Sequence, residues 1–100
     1  MVRLTEMMHT SRSIKTKLEG HLDRSALAIV QQTLVCYERA GLTQVHLVLD
    51  GKLLIEQNVL ADVGCLFQKV NLYTDSDFLR ELLRGHGLIA GRAPDGNGHN

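Results

Sequence analysis

The chain is expected to fold as a small α/β domain: a mixed sheet of about four strands packed against three helices, in the order ββαβαβα. Three stretches lead there. Ser13–Leu22 alternates strictly between apolar and polar side chains, Arg24–Ala40 carries apolar residues at helical spacing, and Val45–Leu49 is an almost unbroken apolar run halted by Asp50-Gly51. Period two marks a strand with one wet face, period 3.6 an amphipathic helix, and a short apolar run the centre of a sheet.

A chain of 100 residues has room for one modest core. Its 11 basic and 11 acidic side chains cancel, so no general charge draws it to nucleic acid or to an anionic membrane surface. The two cysteines, Cys36 and Cys65, lie inside apolar helical patterns. That excludes a disulfide scaffold and predicts two buried, structural thiols. No apolar run approaches the roughly 18 residues of a membrane span, and no signal-peptide core opens the chain. The expectation is a cytoplasmic domain without membrane insertion. No internal repeat is visible.

In chain order, Val2–Met8 reads as a first strand, although its Met-rich end also suits a helix start, and His9–Arg12 as a polar turn. In the second strand, Ile14, Thr16, Leu18, Gly20 and Leu22 share the inward face, with Lys15, Lys17, Glu19 and His21 outward. Lys15, Lys17 and Arg12 lack interleaved aromatics for base stacking, so a solvated face accounts for them better than a nucleic-acid patch. Asp23 suits the N-cap of a helix over Arg24–Ala40. Its buried stripe is Leu27, Val30, Leu34 and Tyr37, supported by Ala26, Ile29 and Val35, and Gly41 is placed at its C-terminal end.

The central strand, Val45–Leu49, is expected to be buried on both faces. After the turn at Asp50-Gly51 and the apolar Leu53-Leu54-Ile55, a second helix is expected near Asn58–Gln68, with Leu60, Val63, Leu66 and Phe67 inward. Gly64 inside it costs about 1 kcal/mol relative to Ala, which suggests that another backbone passes close by. Val70, Leu72 and Tyr73 make a short strand. Thr74–Gly85 is the third helix, with Thr74 and Asp77 at capping-box spacing and a buried stripe of Phe78, Leu79, Leu82 and Leu83. The domain is expected to span residues 1–90, and the polar stretch 91–100 to be a disordered tail.

Little of this looks catalytic. The histidines at 9, 21, 46, 86 and 99 have no metal-ligand spacing, there is no phosphate-binding glycine loop, and no cofactor is implied. His46 could serve an enzyme as a base for Cys36 or Cys65, but a hydrogen-bonded histidine on a strand is the commoner arrangement. Asp50 ends a strand where catalytic acids often stand. A turn aspartate before glycine is the simpler reading.

The order of these pieces resembles the sulphate-transporter and anti-sigma-factor-antagonist (STAS) family. LEGHLD (Leu18–Asp23) is similar to the "G-x-L-D" signature that ends the family's second strand. VHLVLDGKLLIEQNVL resembles its next segment, an apolar strand ending in Asp before "D-S-x-G-L", and FLRELLRGHGLI its closing helix. The likeness covers about residues 2–90. It implies a non-enzymatic regulatory module that docks a protein partner through the loop before the second helix, here Asp50, Gly51, Lys52, Glu56, Gln57 and Asn58. Partners implied are a regulatory kinase, an anti-sigma factor or a transporter subunit, with a homodimer also compatible. The departure is chemical. Partner-switching members carry a phosphorylated Ser or Thr in that loop, whereas here Gln57 takes the position and no Ser or Thr occurs between Thr43 and Thr74. The rival readings are a small-molecule binder with an apolar pocket between sheet and helices near Cys65 and Phe67, and the His46–Cys enzyme.

Overall fold

The computed structural model describes residues 1–92. Six strands and three helices follow one another: β1 (Val2–His9), β2 (Ser13–Leu22), α1 (Arg24–Arg39), β3 (Gln44–Leu49), β4 (Leu54–Ile55), α2 (Leu60–Leu66), β5 (Asn71–Thr74), α3 (Asp77–Arg84) and β6 (Ala90–Gly91). The sheet runs β1-β2-β3-β5-β6, with β4 paired to β2 off this path. Only β1–β2 is antiparallel, a hairpin closed by Thr10, whose hydroxyl accepts from the Ser13 amide at 3.0 Å. The remaining pairings are parallel. The sheet is therefore mixed, as expected, but has six strands in place of about four. A strand of two residues has no period to read, which is why β4 and β6 leave no sequence signal.

The alternation in β2 is reproduced at Ile14, Thr16, Leu18 and Leu22, which are buried while the residues between them are not. Gly20, expected on the inward face, is exposed, because its positive φ interrupts the regular pleat. All three helices pack on that buried face. Leu18, Leu47, Leu49 and Leu72 of the sheet meet Ala26, Leu27 and Val30 of α1, Val63 of α2 and Leu79 and Leu83 of α3 in one core. Thr16 is buried without cost because its hydroxyl and that of Tyr37 on α1 share a hydrogen bond of 3.0 Å. The opposite face carries Lys15, Lys17, Glu19, His46, Val48 and Tyr73, all half-buried. With every helix on one side, β3 cannot be buried on both faces. Leu47 and Leu49 point into the core, and Val48 stays half-exposed with His46.

Local chemistry sets the ends of the elements. Gly20 sits at φ +111°, and an added Cβ would run into the Met1 carbonyl oxygen, so only glycine lets β1 lie against this end of β2. Asp23 caps α1, its carboxylate accepting from the Ala26 amide at 2.8 Å. The far end of α1 closes at Gly41 (φ +83°) with two reversed bonds, Gly41 N–H to the Glu38 carbonyl at 3.0 Å and Leu42 N–H to the Tyr37 carbonyl at 3.1 Å. That is a Schellman turn. The same device ends α3, where the Leu88 amide donates to Leu83 and Gly87 takes φ +81°.

Several expected details shift. The second helix is short: α2 is preceded by a tight turn over Gln57–Val59 and followed by another over Phe67–Lys69. Thr74 does not cap α3. It is the buried last residue of β5, and Ser76 caps instead, accepting from the Leu79 amide at 3.1 Å. Phe78, placed in the buried stripe, is 73% exposed, while Leu79 and Leu83 are buried. On α1, Ile29 and Val35 are exposed rather than packed. His9 extends β1, and Gly91 belongs to β6 rather than to a tail. The rest of that expected tail, 93–100, lies outside the described residues. The inference from Gly64 holds: a Cβ there would stand 3.0 Å from the His86 carbonyl oxygen, in the loop after α3.

Candidate partner-binding surface

After Leu49 the chain steps out of the sheet and returns five residues later to the end of β2. Asp50 makes the step. Its amide donates to the Leu18 carbonyl at 2.9 Å, its carbonyl accepts from Leu53 at 2.9 Å, and its carboxylate accepts from the Lys52 amide at 3.1 Å. Lys17 Nζ approaches the same carboxylate to 3.7 Å. Asp50 is a turn aspartate with its acceptors engaged. Gly51 and Lys52 form the exposed tip of this turn.

The return is β4, in which Leu54 and Ile55 pair with His21 and Leu22. The Glu56 amide continues the ladder to the Leu22 carbonyl at 3.0 Å. Leu54 is nevertheless 65% exposed, because a two-residue strand pins its backbone while its side chain points away from the core. Glu56 then meets His21, carboxylate oxygen to Nε2 at 3.0 Å. Gln57-Asn58-Val59 turns into α2, and neither the turn nor the helix has a side-chain cap. Asn58 therefore is not a helix cap. Its carbonyl accepts from Arg24 Nη2 at 2.8 Å, and Arg24 Nη1 reaches the Asp62 carboxylate at 2.6 Å.

The six expected residues thus lie at one end of the sheet, beyond the C-terminal ends of parallel strands, where α/β sheets commonly meet ligands and partners. Asp50, Gly51 and Lys52 occupy the outward turn and Glu56, Gln57 and Asn58 the return, with Leu54 between them. The structure adds His21, Asp23, Arg24 and Asp62. The Ala26 amide donating to the Asp23 carboxylate holds that group below its ordinary pKa, so the residue beside His21 and Arg24 stays anionic. None of these four was legible as part of the site. Arg24 and Asn58 are 34 residues apart, and only folding brings them together.

His46 does not join either cysteine. It lies on the open sheet face, where its Nδ1 and the Tyr73 hydroxyl share a hydrogen bond of 2.9 Å. Cys36 and Cys65 sit on helices across the sheet, so a nucleophile–base pair is geometrically closed. Both thiols are exposed, against the expectation of burial, because each lies on the outer side of its helix. Labelling with a thiol reagent in native buffer is therefore expected to run nearly as fast as in denaturant. Protection of either thiol in the folded chain by tenfold or more, on the order of 1.4 kcal/mol, would contradict that placement. Phe67, offered as a pocket wall, is buried in the core. Cys65 instead lines a shallow groove between α1 and α2 with Arg24, Leu27, Ala28 and Asp62. Among the described residues no cluster of side chains could hold a metal ion, and no helix is long and apolar enough to cross a membrane.

No family model and no curated protein sequence matches the chain. Among solved structures, the anti-sigma factor antagonist SpoIIAA in its unphosphorylated form is similar over 91% of this chain and 88% of that one, with a TM-score of 0.64 and 14% sequence identity. The chain thus shares the fold of this anti-sigma factor antagonist, a STAS-like fold.

Proposed function

We propose that the chain is a non-enzymatic regulatory module that binds a protein partner constitutively through Asp50, Gly51, Lys52, Glu56, Gln57 and Asn58. The observation that carries this is a contrast within one loop. Its backbone is held at four points, by Leu18, Leu22, the β4 pairing and Arg24. Its tips, Leu54, Gln57 and Asn58, are exposed. A backbone fixed before contact loses little entropy on binding, so exposed side chains carried on it can dock a partner without a large ordering cost.

SpoIIAA is by name an anti-sigma factor antagonist. Likeness to it supports an anti-sigma factor as the class of partner, and the sequence resemblance to the STAS family extends the choice to a regulatory kinase or a transporter subunit. A phosphoryl switch would add nearly two negative charges and needs a hydroxyl to accept it. Gln57 offers none, and Glu56 beside it supplies one permanent charge, held by His21. The binding is therefore constitutive rather than switched in this loop.

The triple substitution Glu56→Ala, Gln57→Ala, Asn58→Gly tests the reading. Arg24 holds the carbonyl of Asn58 and not its side chain, so the turn survives. Loss of the exposed His21–Glu56 pair should cost at most about 1 kcal/mol. The folded variant should lose the partner that the wild-type chain retains in a pull-down from its host. Undiminished recovery would place the binding surface elsewhere.

A further inference from the structure

At the other end of the sheet, by the N-terminus of β3, the helix layer does not close. Helix α1 runs on to Arg39, whereas α2 stops at Leu66 and tightens into Phe67–Lys69, so the second wall falls short of the first. The gap is an open cleft of about 470 Å³ walled by Leu34, Val35, Leu42, Val45, Leu66 and Val70. Small-molecule sites occupy about 300–1,000 Å³ and combine apolar walls with a few convergent polar groups. Gly41 adds room, since a Cβ there would meet nothing within 4 Å.

Two exposed side chains of opposite charge border this apolar floor. Glu38 lines the cleft from α1, and Lys69 from the turn that ends α2. Among the described residues neither has an opposite charge within 4.0 Å. A simple anion placed on Lys69 would be repelled by Glu38, and a simple cation on Glu38 by Lys69. An uncharged apolar molecule would desolvate both without pairing either. A molecule that carries both charges on an apolar body meets all three demands.

We propose that the cleft binds an α-amino acid with an aliphatic or aromatic side chain, its carboxylate on Lys69, its ammonium on Glu38 and its side chain against Leu34, Val45, Leu66 and Val70. This site is separate from the partner-binding surface and does not depend on that reading.

The test is an amide NMR titration of the chain with L-phenylalanine, run beside 3-phenylpropanoate, which lacks the ammonium, and phenylalaninamide, which lacks the carboxylate. Phenylalanine should shift the amides of Leu34, Glu38, Thr43 and Lys69 and bind about tenfold more tightly than either analogue, the scale of one lost charge-assisted hydrogen bond. Lys69→Gln and Glu38→Gln, both exposed and outside the core, should each weaken binding to a similar degree without moving the melting temperature. Equal binding of the three ligands, shifts confined to other elements, unchanged affinity in both variants, or no shifts at millimolar phenylalanine would each overturn the proposal.

Discussion

Leu18→Lys should unfold the domain or remove most of its stability, while Lys17→Leu, one residue away, should change stability by less than about 1 kcal/mol. Leu18 has no exposed surface and pairs with Leu4 on one side and Leu49 on the other, at the centre of the core. An ammonium there has no carboxylate to meet. Whether it stays charged or sheds its proton, the cost is several kcal/mol against a total stability of about 5–15 kcal/mol. Lys17 projects from the open face, and its side chain is 38% exposed, 3.7 Å from Asp50. Replacing it loses only a weak surface pair. Denaturant melts of the two variants decide the point. Equal effects would mean that the helices do not all lie on one side of the sheet.

Gly64→Leu should destabilise by about 1–3 kcal/mol, whereas Ala61→Leu, one turn earlier on the same helix, should stay within about 0.5 kcal/mol. Gly64 is buried, and a Cβ there would already stand 3.0 Å from the His86 carbonyl oxygen and 3.5 Å from its Cβ. The atoms that would have to move are backbone, held by the Schellman turn that closes α3. A leucine would push α2 away from that turn, although leucine itself is the better helix former. Ala61 is exposed and has the room. Thermal melts showing the same loss in both variants, or a gain for Gly64→Leu, would contradict the close approach of the two segments.

These two residues also mark what could be read in the sequence. Leu18 belongs to a ten-residue alternation, long enough to give strand, face and register together. Gly64 was informative because glycine inside a helical pattern is costly unless something needs the space. Where the chain misled, the cause was a signal that stops at one element. Apolar spacing names the residues that could be buried in a helix, not how far the sheet extends beneath them. Ile29, Val35 and Phe78 are apolar at suitable positions, yet they overhang the layer they were meant to cover. The apolar run of β3 suggested two covered faces, but the side on which helices pack follows from the whole topology.

The binding surface divides in the same way. Asp50-Gly51 and the polar step Glu56-Gln57-Asn58 stood out locally, against apolar flanks. The parts that hold them did not. His21 and Arg24 belong to the strand and helix before the loop, and nothing in their own neighbourhoods points to Glu56, Asn58 or Asp62. Arg80 is a similar case at the end of β5. It donates to the Thr74 carbonyl at 2.8 Å and to the Ala90 carbonyl at 3.3 Å, tying α3 to two strands, although its spacing marks it only as a helix residue.

The central claim is that a partner sits on the loop between β3 and α2 rather than on the open sheet face or the outer side of α1. Hydrogen exchange of the chain, alone and in the complex recovered from its host, measures this directly. Partner binding should slow exchange in the segment 50–58, with the backbone amides of Gln57 and Asn58 most affected, and leave α1 and the outer strand β1 unchanged. Protection confined to α1, or to β1 and the strands beside it, with segment 50–58 exchanging as in the free chain, would contradict the account.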